Sequence, residues 1–157
     1  MKQEHKLVYH PKIGICEITE YNQKTKRMTL TSIYDTGNQS TFPFENIKMV
    51  GIRDIMTKHV AQQLLYDILH PDTDELELLD PSKRIIEQCI HGPDIEKQVA
   101  YLSYMMYLKY AKGNSGVILQ TNLGRLEDIL INELSYVLGM EKEKLETDMI
   151  SCYRQLS

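Results

Sequence analysis

The feature that most constrains this chain is a change of period near residue 54. Before it, apolar residues alternate with polar ones in short runs; after it, they recur every third or fourth position. A period of two buries one face of a sheet, whereas a period of 3.6 buries one stripe of a helix. The expectation is therefore an α+β protein, with a small N-terminal antiparallel β-barrel over residues 1–53 and a compact all-helical domain over residues 54–157.

In the front part, Lys6–His10, Gly14–Tyr21, Arg27–Tyr34 and Ser40–Phe44 read as strands. The last contains Pro43, which has no N–H for an inner ladder and so predicts an edge or a strand end. Turn residues separate the runs at Pro11-Lys12-Ile13-Gly14, at Asn22–Lys26 and at Asp35-Thr36-Gly37-Asn38.

In the back part, Val60, Leu64 and Ile68, flanked by Ala61 and Leu65, predict a helix that ends at His70-Pro71. Residues 72–80 are acidic and read as a loop. Asp80-Pro81 offers an N-cap and an N1 proline for a helix reaching His91, and Gly92-Pro93 breaks it. Asp94 can cap the next helix, Ile95 to about Lys112, which Gly113-Asn114 closes. A further helix runs from Val117 to Leu138 with Gly139 just past its end, and a last one carries Leu145, Met149, Cys152 and Tyr153 on one face.

Charge divides with period. Residues 1–53 hold eight Lys/Arg against five Asp/Glu, a net of +3. Residues 54–157 hold ten against seventeen, a net of −7, and the whole chain carries −4. A protein that binds DNA freely needs a basic face to displace counterions, and the back part has none evident. No apolar run approaches the ~20 residues that a membrane span requires. Met1–Lys6 leads into no signal-type apolar stretch, and the expectation is a cytoplasmic protein.

The residues that could carry chemistry do not fall at chemical spacings. Cys16, Cys89 and Cys152 form no C-x-x-C pair and sit in apolar patterns, as small buried hydrophobes do. His5, His10, His59, His70 and His91 show no H-x-x-x-H or H-E-x-x-H arrangement, so no metal or other cofactor is expected. No G-x-S-x-G elbow is present, and Gly113-Asn114-Ser115-Gly116 lacks the lysine of a phosphate loop. Carboxylates such as Asp74-Glu75 and Glu141/Glu143 lie in polar stretches with nothing to push their pKa values apart. No catalytic residue is assigned, and the chain reads as a non-enzyme. Tyr101, Tyr104, Tyr107 and Tyr110 recur at three-residue spacing and so sweep around a helix. They read as packed rings with hydroxyls reaching water, the other reading being a partner surface or a stacking platform for bases.

Three segments resemble a known family. The run Val8-Tyr9-His10-Pro11-Lys12-Ile13-Gly14-Ile15-Cys16-Glu17-Ile18 is similar to the V-Y-P-x-H-G-x-G/A-x-I opening of the CarD/CdnL family. Phe42-Pro43-Phe44-Glu45-Asn46-Ile47-Lys48-Met49-Val50-Gly51-Ile52-Arg53-Asp54 resembles that family's closing segment, with Pro, Asn, Val-Gly and Arg at the family spacing. Asp128 to Gly139 resembles its Q-I-L-V-x-E-L-A-x-A-L-G helix. The front module also occurs in the transcription-repair coupling factor. The resemblance implies a Tudor-like barrel that binds the β subunit of bacterial RNA polymerase, and a helical domain that touches promoter DNA and stabilises the open complex.

It also implies site residues. Lys24, Lys26 and Arg27 stand where the family's hairpin docks on polymerase, and Thr41, Phe42 and Pro43 stand at its V-P element, with Thr41 in place of an arginine. Lys83, Arg84 and Arg125 are the basic residues left where the family contacts DNA. The family's tryptophan wedge is replaced by Pro81, and the chain has no tryptophan. Polymerase docking is thus expected with weakened DNA contact. The rival reading is an adaptor whose acidic helical domain binds another protein.

Overall fold

A computed structural model describes residues 6–47 and 51–156. The chain divides into two compact units, Met1–Ile55 and Met56–Ser157. Among the segments singled out above, His5, the first five residues and Lys48, Met49 and Val50 lie outside the described residues.

The first unit is one antiparallel sheet of β1 (Leu7–His10), β2 (Gly14–Asn22), β3 (Arg27–Ser32), β4 (Gln39–Pro43) and β5 (Arg53–Asp54), in the order β4-β3-β2-β1-β5. A 3-10 turn, Phe44–Asn46, follows β4. The expected barrel is not closed: β4 and β5 are the two edges of an open sheet.

Register explains which residues face inward. Val8 pairs with Cys16, Ile18 with Leu30, and Met28 with Phe42, so their side chains share one face and, with Ile52, form the core. Strict alternation along β2 would then carry Glu20 into that core. A bulge at Thr19 prevents this, because Ile18 pairs with Leu30 while Glu20 already pairs with Thr29. Tyr21 falls on the core face instead and stacks on Phe44 with ring centroids 4.1 Å apart. The opposite face carries a hydroxyl ladder: Thr19 Oγ1 to Thr31 Oγ1 and Thr29 Oγ1 to Thr41 Oγ1, both 2.8 Å.

His10, at the end of β1, is 3% exposed, and its Nδ1 accepts the Lys12 N–H at 3.0 Å. Burial, and then the charge of Lys12, hold its pKa below 6.5. A depressed histidine pKa favours the fold above the unfolded value and withdraws that support as pH falls through 6.5. The sheet unit is therefore expected to lose denaturant stability from pH 7 to pH 5 more steeply than a His10→Asn variant, whose amide oxygen can still receive the Lys12 N–H. Parallel slopes in urea titrations of the two proteins would exclude this role for His10.

The second unit consists of α1 (Lys58–Leu69), α2 (Thr73–Glu77), α3 (Lys83–His91), α4 (Ile95–Met106), α5 (Val117–Leu138) and α6 (Lys142–Arg154). A π-helical turn, Tyr107–Ala111, extends α4. Leu102, Leu126, Leu130, Ile131 and Met149 are at the centre of its core. Gly139 takes the left-handed conformation that ends α5, with φ of 64°, as its position past the apolar stripe predicts.

Several expectations need correction. On α1 the buried stripe is Ala61, Leu64 and Ile68, and Val60 is exposed. Residues 72–80 are not a plain loop: the Asp72 carboxylate accepts the Asp74 and Glu75 N–H groups and starts α2, which seats Leu76 in the core. Asp80 does not cap α3. Its Oδ1 accepts the Ser82 N–H at 2.8 Å, and α3 begins only at Lys83, with Ser82 at the cap position and Pro81 outside the helix. Two tyrosine hydroxyls are taken up by protein rather than left to water: Tyr101 donates to the Asp80 carbonyl at 2.9 Å and Tyr107 to Glu77 Oε1 at 3.0 Å.

Helix ends are sealed by side chains distant in sequence. Tyr153 Oη donates to the Ile68 carbonyl at 2.8 Å and Cys152 Sγ to the Leu69 carbonyl at 3.0 Å, which closes α1. Gln98 Nε2 gathers the carbonyls of Cys89 and Gly92 at the end of α3. At the other end of α1, Thr57 Oγ1 accepts the Val60 N–H, and the buried Glu133 of α5 accepts the Met56 N–H at 2.7 Å.

Candidate functional site

The sheet unit presents an edge that no described strand covers, beside a basic hairpin. Asn22 Oδ1 accepts the N–H groups of Lys24 and Thr25, which folds the turn back on itself, and Lys26 completes it at φ 54°. Lys24, Lys26 and Arg27 are all exposed, and none has an ion-pair partner among the described residues.

Register brings β4 to the same end. Arg27 lies opposite Pro43, and the Phe44 N–H reaches the Lys26 carbonyl at 3.0 Å. The Ser32 N–H bonds the Asn38 carbonyl at 3.0 Å in the same ladder. Pairs two apart repeat this pattern, so Ser40 and Phe42 spend their backbone groups on β3. Gln39 and Thr41 turn theirs outward, where no described strand covers them, and Pro43 offers only a carbonyl.

The six residues that the resemblance offers for docking therefore divide by placement. Lys24, Lys26, Arg27 and Pro43 are brought together at the hairpin end, and Thr41 offers backbone groups one step along the edge. Phe42 is 6% exposed and part of the core, so its side chain holds β4 in place and is not offered to a partner. The outward pairing groups of Gln39 were not singled out by sequence. Strand alternation could have found them once β4 was known to be terminal.

The three residues that the resemblance offers for DNA contact, Lys83, Arg84 and Arg125, are not brought together in the same way. Lys83 and Arg84 are exposed on the first turn of α3. Arg125 of α5 is held at the other end of α3, with Nη1 3.1 Å from Glu87 Oε1 and Nη2 2.8 Å from His91 Nε2. Its charge is already met by a carboxylate and its orientation is set by two partners. Residues 56–157 carry sixteen Asp/Glu against ten Lys/Arg, a net of −6.

Groups suited to covalent or metal chemistry are in structural positions. Burial pushes the Cys16 and Cys89 thiols up to about 11, away from the thiolate form that reacts. His70 is stacked on Tyr66 at 4.0 Å between ring centroids. Among the described residues, no three His, Cys, Asp or Glu side chains are grouped to hold a metal ion. No described helix is long and apolar enough to cross a membrane.

No protein-family model matches the chain, and no curated protein matches it either.

Proposed function

We propose that the sheet unit is a Tudor-like docking module for the β subunit of bacterial RNA polymerase, and that the chain is a CarD/CdnL-like regulator of promoter opening. The observation that carries this reading is the coincidence of a strand edge, β4, that no described strand covers with three cations at one end of it that have no ion-pair partner among the described residues. Strand addition draws affinity from main-chain groups, which Gln39 and Thr41 supply, and the hairpin charges steer and register an acidic partner.

The barrel reading rests on two further features. β5 returns to pair with β1 instead of extending past β4, which a curled sheet favours. The Thr19 bulge lies within the longest strand, β2, where it increases twist. The helical unit has the smaller role at DNA, through Lys83 and Arg84. Arg125 is engaged by Glu87, and a net −6 repels phosphate. A regulator of this kind shifts promoter opening only by binding the open state better than the closed one.

The test is binding to the isolated β-subunit lobe. Wild type is expected to bind with a Kd of about 1 μM to tens of μM, as a compact interface does. Lys24→Glu/Lys26→Glu/Arg27→Glu is expected to weaken it by about tenfold or more. Thr41→Pro removes one outward N–H and the hydroxyl bond to Thr29 but none of the backbone bonds to β3; it is expected to weaken binding by a similar factor, with Thr41→Ala, which loses the hydroxyl bond alone, binding as wild type does. Binding that is absent in wild type, or indifferent to both the triple charge reversal and Thr41→Pro, would overturn the proposal.

A further inference from the structure

The helical unit has a grooved face that polymerase docking does not use. Two adjoining clefts of about 390 and 360 Å³ run along the seam between α1 and α4 and on to α2. Asp67, Glu96 and Val99 line both, which makes them one groove. Its floor is apolar, with Leu64, Leu76 and Val99 buried, while Val60 at the rim is 40% exposed.

The rim is acidic. Asp67, Asp72, Glu75 and Glu96 are exposed, and no Lys or Arg lines the groove. None of the four has an ion-pair partner among the described residues. They do not converge as ligands for a metal ion either.

We propose that this groove takes a basic amphipathic helix of a partner protein, with an apolar stripe on the groove floor and Lys or Arg on its flanks. The shape argues for a helix. Val60, Leu64 and Asp67 follow helical spacing along α1, and Glu96, Val99, Ala100 and Ser103 do so along α4, so two neighbouring helices supply the ridges between which a third can lie. From His59 to His70 the groove follows α1 for about 16 Å, or three turns. The charge argues for a basic occupant: four carboxylates with no counter-charge among the described residues, on a unit of net −6, attract cationic side chains and repel nucleic acid and acidic segments. This inference does not depend on the polymerase reading, which concerns the sheet unit.

The test uses the full chain and a fluorescein-labelled 14-residue helical peptide with leucine at i, i+3, i+4 and i+7 and lysine elsewhere. Binding with a Kd of about 10–100 μM is expected at physiological salt. Asp67→Lys/Glu96→Lys is expected to weaken it by about tenfold or more, and Glu141→Lys/Glu143→Lys, an equal charge change on α6 and its cap, by less than about twofold. Both pairs are exposed, and circular dichroism checks that each variant folds. The inference is overturned if the peptide does not bind, or if the two variants lose equally. Equal binding by a peptide of the same composition with its leucines scattered around the helix overturns it too. Self-association of the protein that Asp67→Lys/Glu96→Lys abolishes would assign the groove to a second copy and overturn it as well. Lobe binding by Asp67→Lys/Glu96→Lys is measured alongside, and its retention separates failure of this inference from failure of the docking proposal.

Discussion

Phe42→Ala is expected to unfold the sheet unit within the 157-residue chain. Among the described residues, Phe42 is the one aromatic ring in the buried cluster that it forms with Val8, Cys16, Ile18, Met28, Leu30 and Ile52. Truncating a buried phenylalanine costs about 3–5 kcal/mol in lost transfer energy and cavity. A unit of this size holds only about 3–8 kcal/mol in total, on the usual stability per residue. Hydrogen exchange followed by mass spectrometry checks this. Amides of β2 and β3 should lose protection by one to several orders of magnitude, while those of α4 and α5 keep theirs. Unchanged protection in β3 would mean that Phe42 is not central to the core. The result also bears on the docking proposal, because a variant at this position would lose the β4 edge itself and not a contact made by the Phe42 ring.

Glu133→Ala is expected to lower the stability of the helical unit by about 2–4 kcal/mol. The Glu133 side chain has no solvent exposure, and its Oε2 receives the Met56 N–H at 2.7 Å, one residue before the Thr57 cap of α1. Removing the acceptor leaves that N–H without its bond, which costs about 1–3 kcal/mol, and the vacated volume adds about 1 kcal/mol. Glu133→Gln keeps one oxygen for the same N–H and is expected to recover most of the loss. Urea denaturation followed by circular dichroism reads both variants. Equal destabilisation by Gln and Ala would show that the Met56 bond is not what Glu133 contributes.

These two residues show how far sequence carries. Phe42 was legible as a strand residue next to an edge proline, and the strand is there with Pro43 on an edge. That its ring points inward follows from register with Met28, which depends on how β3 and β4 align. Glu133 lies in a stretch that resembles a family helix, but nothing in the local pattern distinguishes a carboxylate that caps another helix from one facing water. Its partner lies 77 residues away.

The same holds for the site. The resemblance points to Lys24, Lys26 and Arg27, and local sequence adds that a hairpin tip faces water, where all three are exposed. Arg125 is the one cation kept where the resembled family has several, yet Glu87 neutralises it and His91 helps to orient it, both from another helix. The acidic run after Pro71 read as a loop because its charges dominate the pattern. Asp72 instead caps a short helix whose one deeply buried residue, Leu76, joins the core and helps to floor the groove.

Sequence by itself determined the class and order of the elements: alternation and turn residues specify four strands, and helical periodicity with Pro, Gly and Asp punctuation specifies most of the helices. These are local properties, set by backbone geometry and by the burial of one face. Only the tertiary structure decided that the sheet is open, that the Thr19 bulge turns Tyr21 inward in place of Glu20, and which charges remain unpaired. Those outcomes depend on pairings between residues far apart in the chain, where the identity of one partner constrains nothing until its position against the other is set.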